Sequence, residues 1–66
     1  MKIFISDKRT EKGMTQRQLA EICGITYQSL QRYEKGIVYP TIPIALSIAR
    51  ALDTTIGDLY VLEDND

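Results

Sequence analysis

The sequence predicts an all-α fold, a compact bundle of five short helices without a clear strand. Three observations support this prediction. Thr15 and Gln18 have the three-residue spacing of a capping box, in which two side chains satisfy free backbone N–H groups at a helix start. Leu19 and Cys23 then recur at helical spacing. Gly24 ends this helix, because glycine enters the left-handed conformation at low cost.

The helices are expected to follow one another with short connections. The first lies within residues 1–13, although the β-branched and aromatic start, residues 1–5, could instead be a short extended segment. The second helix covers residues 15–23. The third covers residues 26–35 and begins at Thr26, whose hydroxyl offers a second N-cap. Two helices joined by a short glycine turn form a helix-turn-helix.

The second half of the chain predicts two more helices. Thr41 can cap a fourth helix over residues 41–52, with Pro43 in the first turn, where a missing N–H costs little. Thr55 can cap a short fifth helix, with Asp58 repeating the capping-box spacing. The residues expected to face the core are Leu19, Cys23, Leu30, Tyr33, Ile44, Ile48, Leu52, Ile56, Leu59 and Leu62.

The size of the chain predicts one domain, residues 1–66, with residues 62–66 as a frayed acidic tail. A single cysteine cannot close an internal disulfide, and the absence of histidine excludes a zinc-finger pattern, so we expect neither metal nor cofactor. One unpaired cysteine is typical of a reducing compartment. The apolar run at residues 3–5 is too short for a signal peptide or a membrane span. A cytoplasmic protein without membrane contact is therefore expected.

The charge of the chain is divided unevenly along its length. The net charge is −1, but residues 1–52 contain eight basic and four acidic side chains, or about +4. The five charged residues from Asp53 onward are all acidic. This asymmetry indicates a basic working face and an acidic end held away from it. Alternatively, the acidic end simply keeps a small protein soluble.

Motifs in three segments, residues 12–36, 39–52 and 54–60, resemble one family. In them Thr-Gln opens the second helix, Leu-Ala and the turn glycine keep fixed offsets, Tyr-Glu-Lys-Gly closes the third helix, and Tyr-Pro-Thr precedes the fourth. The chain resembles the phage repressor and Cro-type (Xre-like) helix-turn-helix transcriptional regulators over about residues 5–60. The resemblance implies a lambda-repressor-like DNA-binding domain whose third helix enters the major groove.

The resemblance implies that four side chains of the third helix contact bases: Tyr27, Gln28, Gln31 and Arg32. Their chemistry suits the role, since Gln28 can pair bidentately with adenine and Arg32 with guanine. The alternative is that they are ordinary solvated polar residues. Five further side chains are candidates for phosphate contacts: Gln16, Arg17, Ser29, Lys35 and Tyr39. The resemblance also implies an ion pair between Arg9 and Glu34, which could otherwise be two separate surface charges.

The function that the sequence predicts is sequence-specific binding of double-stranded DNA by a transcriptional regulator, a repressor that acts as a homodimer on a palindromic operator. The candidate dimer interface is Tyr60, Val61 and Leu62. An enzyme is not expected, because the chain has no histidine to activate a serine or cysteine and no glycine-rich phosphate loop. Alternatives are an antitoxin that covers a toxin partner, with Ile22, Ile37 and Val38 as candidate contacts, or a restriction-modification controller.

Overall fold

Five helices pack around one apolar core, and two short strands bring the ends of the chain together. The computed structural model describes all 66 residues. None of the helices is long and apolar enough to cross a membrane. The elements in chain order are β1 (Lys2–Ile3), α1 (Ile5–Glu11), α2 (Gln16–Cys23), α3 (Tyr27–Lys35), α4 (Ile42–Ala51), α5 (Ile56–Leu59) and β2 (Tyr60–Val61).

The core draws on all five helices and follows their apolar stripes. The fully or almost fully buried side chains are Ile5, Leu19, Ala20, Leu30, Ala45, Ile48, Ala49, Leu52 and Leu59. Cys23, Tyr33, Ile44 and Ile56 are half-buried and pack against this cluster. Burial raises the pKa of the Cys23 thiol, which therefore stays protonated at neutral pH and behaves as a small apolar side chain. The prediction for Leu62 was wrong, because that side chain is 73% exposed.

Local capping determines where α2 and α3 begin. The Thr15 hydroxyl accepts from the Gln18 backbone N–H at 3.1 Å, and the Gln18 side chain accepts from the Thr15 N–H at 2.8 Å, which completes the predicted capping box. Thr26 caps α3 by accepting from the Ser29 N–H at 3.0 Å. Gly24 and Gly36 end the two helices at φ angles of +67° and +74°.

The later helix starts differ in detail from the prediction. Thr41 is the N-cap residue of α4, but its side chain makes no capping hydrogen bond. Thr55 does cap α5, accepting from the Asp58 N–H at 3.2 Å. The reciprocal bond of a capping box is missing there, because the Asp58 carboxylate accepts from the Thr54 hydroxyl at 3.2 Å instead.

The five predicted helices are confirmed, but the prediction that the chain has no clear strand was wrong. β1 pairs antiparallel with β2, with Lys2 opposite Val61 and Ile3 opposite Tyr60. The pairing continues in a hydrogen bond from the Phe4 N–H to the Leu59 carbonyl at 2.8 Å. Helix α1 therefore begins at Ile5, and the extended alternative for the start of the chain is the correct one.

The chain ends meet next to this ribbon. The N-terminal amine lies 2.7 Å from Asp66 Oδ1 and 3.4 Å from Glu63 Oε1. The amine holds the pKa of the Asp66 carboxyl below its usual range, chiefly through their hydrogen bond. Because both groups are solvent-exposed, the ion pair contributes little to stability.

We predict that Gly36→Ala destabilises the protein more than Gly24→Ala. Both alanines would occupy a left-handed conformation, at a cost of about 1–2 kcal/mol. A Cβ at Gly24 meets open space, whereas a Cβ at Gly36 would lie 2.9 Å from Ile3 Cδ1 and displace that side chain, at a further cost of ~1 kcal/mol. Urea unfolding measures both losses. In an Ile3→Val background, which removes Cδ1, the two losses should become equal; a difference that persists would contradict the explanation.

Candidate nucleic-acid interface

The helix-turn-helix unit consists of α2, the turn 24–26 and α3. Backbone hydrogen bonds and buried apolar side chains fix its shape. The Ile25 N–H donates to the Ala20 carbonyl at 3.0 Å and the Gly24 N–H to the Glu21 carbonyl at 3.2 Å, which closes the end of α2. Leu19, Ala20 and Leu30 are buried beneath the unit. The opposite side of α3 is left to polar side chains.

Two of the four predicted base-contacting residues are exposed and free. Gln28 and Arg32 lie one turn apart on α3, and neither side chain makes a hydrogen bond or an ion pair within the protein. Their full hydrogen-bonding capacity is therefore available to a ligand. Gln28 offers an acceptor and donors on one planar amide, and Arg32 offers the forked donors of a guanidinium.

The other two, Tyr27 and Gln31, are half-buried and bound to each other. Gln31 Nε2 donates to the Tyr27 hydroxyl at 2.9 Å. The guanidinium carbon of Arg17, on α2, lies 4.4 Å from the centre of the Tyr27 ring. This cation–π contact joins the two helices on their outer side, and no motif in the sequence predicts it.

The phosphate candidates are distributed around this surface. Lys35 is exposed at the end of α3 and has no carboxylate partner. The Ser29 hydroxyl is turned toward the α3 cap, where it accepts from the Thr26 hydroxyl at 2.8 Å. Tyr39 lies apart from the helix-turn-helix unit in sequence and is 58% exposed, with its ring edge-on to Tyr60 at 6.0 Å between centroids.

Gln16 belongs to a polar network centred on Glu34. Arg9 Nε donates to Glu34 Oε2 at 2.9 Å, and Gln16 Nε2 donates to Glu34 Oε1 at 3.0 Å. Arg9 Nη1 also donates to the Met14 carbonyl at 2.8 Å. The structure thus places Arg9 and Glu34 in one ion pair, with side chains only 16% and 6% exposed. One amide N–H of Gln16 is engaged here, and its second N–H remains free.

The predicted dimer residues lie in β2 and just after it. Tyr60 is half-buried, and its hydroxyl is fully enclosed without a hydrogen-bond partner. Burial, with smaller contributions from Tyr39 and Tyr33, raises the pKa of Tyr60 to about 12. Val61 and Leu62 are 39% and 73% exposed. Tyr60 also lines a shallow apolar groove of about 220 Å³, together with Met1, Tyr39, Pro40, Ile42, Ala45 and Ile56.

The outer face of α4 adds apolar surface that the sequence analysis did not assign. Ile42 and Leu46 are 72% and 54% exposed, although their i, i+4 spacing resembles that of core residues. Their spacing places them on one face of α4, and the rest of the chain leaves that face uncovered.

Comparison with known proteins identifies relatives along the whole chain. A family model described as helix-turn-helix, HTH_3, matches residues 5–59. An uncharacterized HTH-type transcriptional regulator from Methanothermobacter thermautotrophicus is 39% identical over 66 residues, covering 98% of this chain and 96% of that protein. The uncharacterized HTH-type transcriptional regulator YgzD from Bacillus subtilis is 32% identical over 66 residues and aligns along the full length of both chains.

Solved structures show the same arrangement of helices. The clp gene regulator ClgR from Corynebacterium glutamicum superposes with a TM-score of 0.77 at 28% identity, covering 82% of this chain and 57% of that chain. A chain of the SinR protein/SinI protein complex superposes with a TM-score of 0.79 at 25% identity, covering 92% of this chain and 65% of that one. The present chain thus spans roughly three fifths of each solved chain.

We predict that Glu34→Ala lowers the free energy of unfolding by about 3 kcal/mol, because it leaves Arg9 partly buried without its carboxylate. Glu11→Ala is the matched control. The Glu11 carboxylate lies 4.0 Å from Lys8 Nζ and its side chain is 70% exposed, so the loss of unfolding free energy should stay below ~0.5 kcal/mol. Chemical denaturation measures both. Equal losses would show that the Glu34 network does not stabilise the fold.

Proposed function

Because the chain belongs to the helix-turn-helix family of transcriptional regulators, we propose that it is a repressor that binds a palindromic operator as a homodimer. Members of this family are DNA-binding regulators and not enzymes.

The outer face of α3 is the main support for operator reading. In the helix-turn-helix docking mode, the N-terminal part of the second helix meets base edges in the major groove. Gln28 and Arg32 lie on that side, exposed and without internal partners. Gln28 would pair with adenine N6 and N7, and Arg32 with guanine O6 and N7. Tyr27 and Gln31 form the half-buried side of the same surface.

Phosphate contacts beside α3 would fix the register of the protein on DNA. Lys35 is the last residue of α3, and Gln16, in the first turn of α2, is brought near the same end by its hydrogen bond to Glu34. The Glu34 carboxylate holds the Gln16 amide, whose second N–H can donate to a phosphate together with the free backbone N–H groups of that turn. Arg17, Ser29 and Tyr39 complete the proposed set.

A homodimer follows from the small number of base-reading residues. One domain with four such side chains specifies few base pairs, whereas two copies on a palindrome double the contacts and place two recognition helices roughly 34 Å apart. We assign the subunit interface to Tyr60, Val61 and Leu62. The exposure of Val61 and Leu62 and the apolar groove lined by Tyr60 support this choice.

An antitoxin-type function is the second candidate. Ile22, Ile37 and Val38 are 60%, 65% and 41% exposed, so the chain has further apolar surface that a protein partner could cover. One similar structure, of the SinR protein/SinI protein complex, contains two different proteins. A toxin partner would bind at these side chains, with DNA binding serving autoregulation.

We predict distinct effects for two DNA-contacting residues. Gln28→Ala should lose discrimination at one base position by ~1–3 kcal/mol, because an adenine loses its bidentate partner. Lys35→Ala should weaken binding to all duplexes about equally and reduce the slope of log affinity against log salt by about 1. Duplexes selected from a random library, then titrated by gel shift over salt, measure both. Failure of the wild type to bind any duplex at low salt would contradict the proposed function.

We predict that Leu62→Asp dissociates the homodimer, weakening it by roughly tenfold or more, because an unpaired carboxylate would be buried in the interface. Ile22→Asp is the matched control, since Ile22 is similarly exposed but lies on α2. Sedimentation equilibrium gives the dissociation constants. A dimer that survives Leu62→Asp and is lost with Ile22→Asp would place the interface on α2.

A further inference from the structure

We infer that Arg17 and Gln31 are positioning residues that hold Tyr27 so that its hydroxyl donates a hydrogen bond to one base of the operator. In this arrangement Arg17 contacts a DNA phosphate and at the same time holds the tyrosine that contacts the base. The inference rests on the proposed function and deepens it, since it gives the chemistry of one position in the recognition surface.

The first observation is the contact between helices. Arg17 is the second residue of α2 and Tyr27 the first residue of α3, so neither helix alone could bring them together. The Arg17 guanidinium carbon lies 4.4 Å from the centre of the Tyr27 ring. A planar guanidinium stacks on an aromatic face in a way that a lysine ammonium does not. The contact therefore fixes the plane of the ring at the start of the recognition helix.

The second observation is the direction of the hydrogen bond at the phenol. Gln31 Nε2 donates to the Tyr27 hydroxyl oxygen at 2.9 Å. A tyrosine hydroxyl has one proton to donate, and here its oxygen is already accepting. The proton is consequently free for a ligand, and Tyr27 is presented as a donor.

A donor at this place selects among bases. Purine N7, guanine O6 and thymine O4 are acceptors on the floor of the major groove, whereas cytosine presents only its N4 amino donor there. Tyr27 would therefore favour a purine or thymine over cytosine at the base it meets. The free carbonyl oxygen of Gln31 lies beside it as an acceptor.

The edge of the Arg17 guanidinium remains available. Its central carbon lies over the Tyr27 ring, and no carboxylate lies within ion-pair distance of it. Its outer N–H groups can donate to a phosphate while the central carbon stays over the ring, because the guanidinium carries five donors in its plane. A phosphate bound at this edge would hold the guanidinium, and through it the ring, in the reading position.

The experiment measures discrimination at each position of the duplex that the wild type selects from a random library. Affinities for that duplex and for all its single-base variants are determined over a range of salt for wild type, Arg17→Lys, Tyr27→Phe, Gln31→Ala and the Arg17→Lys/Tyr27→Phe double variant. Arg50→Lys is the control, because Arg50 is an exposed arginine of α4 without an ion pair and outside the interface. Thermal melts establish that each variant is folded.

We expect Tyr27→Phe to reduce discrimination at one base pair by about 3- to 10-fold, the effect of one hydrogen bond. Arg17→Lys should reduce it at the same base pair while keeping the salt dependence, since the charge is retained. Gln31→Ala should do the same in part. The double variant should lose no more than Tyr27→Phe alone, because both changes remove one interaction. Arg50→Lys should behave as wild type.

Three results would overturn the inference. They are full discrimination in Arg17→Lys at the position that Tyr27→Phe affects, additive losses in the double variant, and full discrimination at every base pair in Tyr27→Phe. In each of these cases the wild type still binds a specific duplex, and the proposed function stands. Absence of specific binding by the wild type would overturn both.

Discussion

The carboxylate of Glu34 is the contact on which the arrangement of the first three helices depends. It accepts hydrogen bonds from Arg9 on α1 and from Gln16 on α2, while Glu34 itself belongs to the last turn of α3. A charge that is 94% shielded from water is tolerable only because these donors replace its hydration. The apolar core would permit α1 to slide along its neighbours, since hydrophobic contact is non-directional. The charged hydrogen bonds remove that freedom and fix the start of α2 relative to the end of α3.

The local features of the fold could be predicted from the sequence, because they depend on residues close in the chain. The capping box at Thr15 and the glycine that ends α2 are properties of a few consecutive residues. The strand pair could not be predicted, because two residues are too few to show a period of two and Lys2 meets Val61 only in the folded state. Leu62 was misplaced because a helical period was extended past Leu59, where the chain becomes a strand.

The candidate site could likewise be predicted only where it depends on residues close in the chain. The exposed positions of Gln28 and Arg32 follow from the periodicity of α3, together with the resemblance that made α3 the recognition helix. The contact between Arg17 and Tyr27 depends on the angle at which α2 crosses α3, which no pattern within one helix reveals.

The pairing of charges is also a property of the folded chain. Near the N-terminus, Lys8, Arg9 and Lys12 each lie within 4.0 Å of a carboxylate. The cations of the helix-turn-helix unit do not, so a chain with a net charge of −1 keeps a positive recognition surface.

The ribbon also has a consequence for how the chain folds as it is made. Contacts within and between neighbouring helices are local and form quickly, whereas pairing of Lys2 with Val61 must wait for the far end of the chain. On the ribosome, β1 emerges first and stays unpaired while the five helices are synthesised. An unpaired strand is a hazard for aggregation, and short length and a charged side chain are the usual protections. β1 has both, since it is two residues long and one of them is lysine.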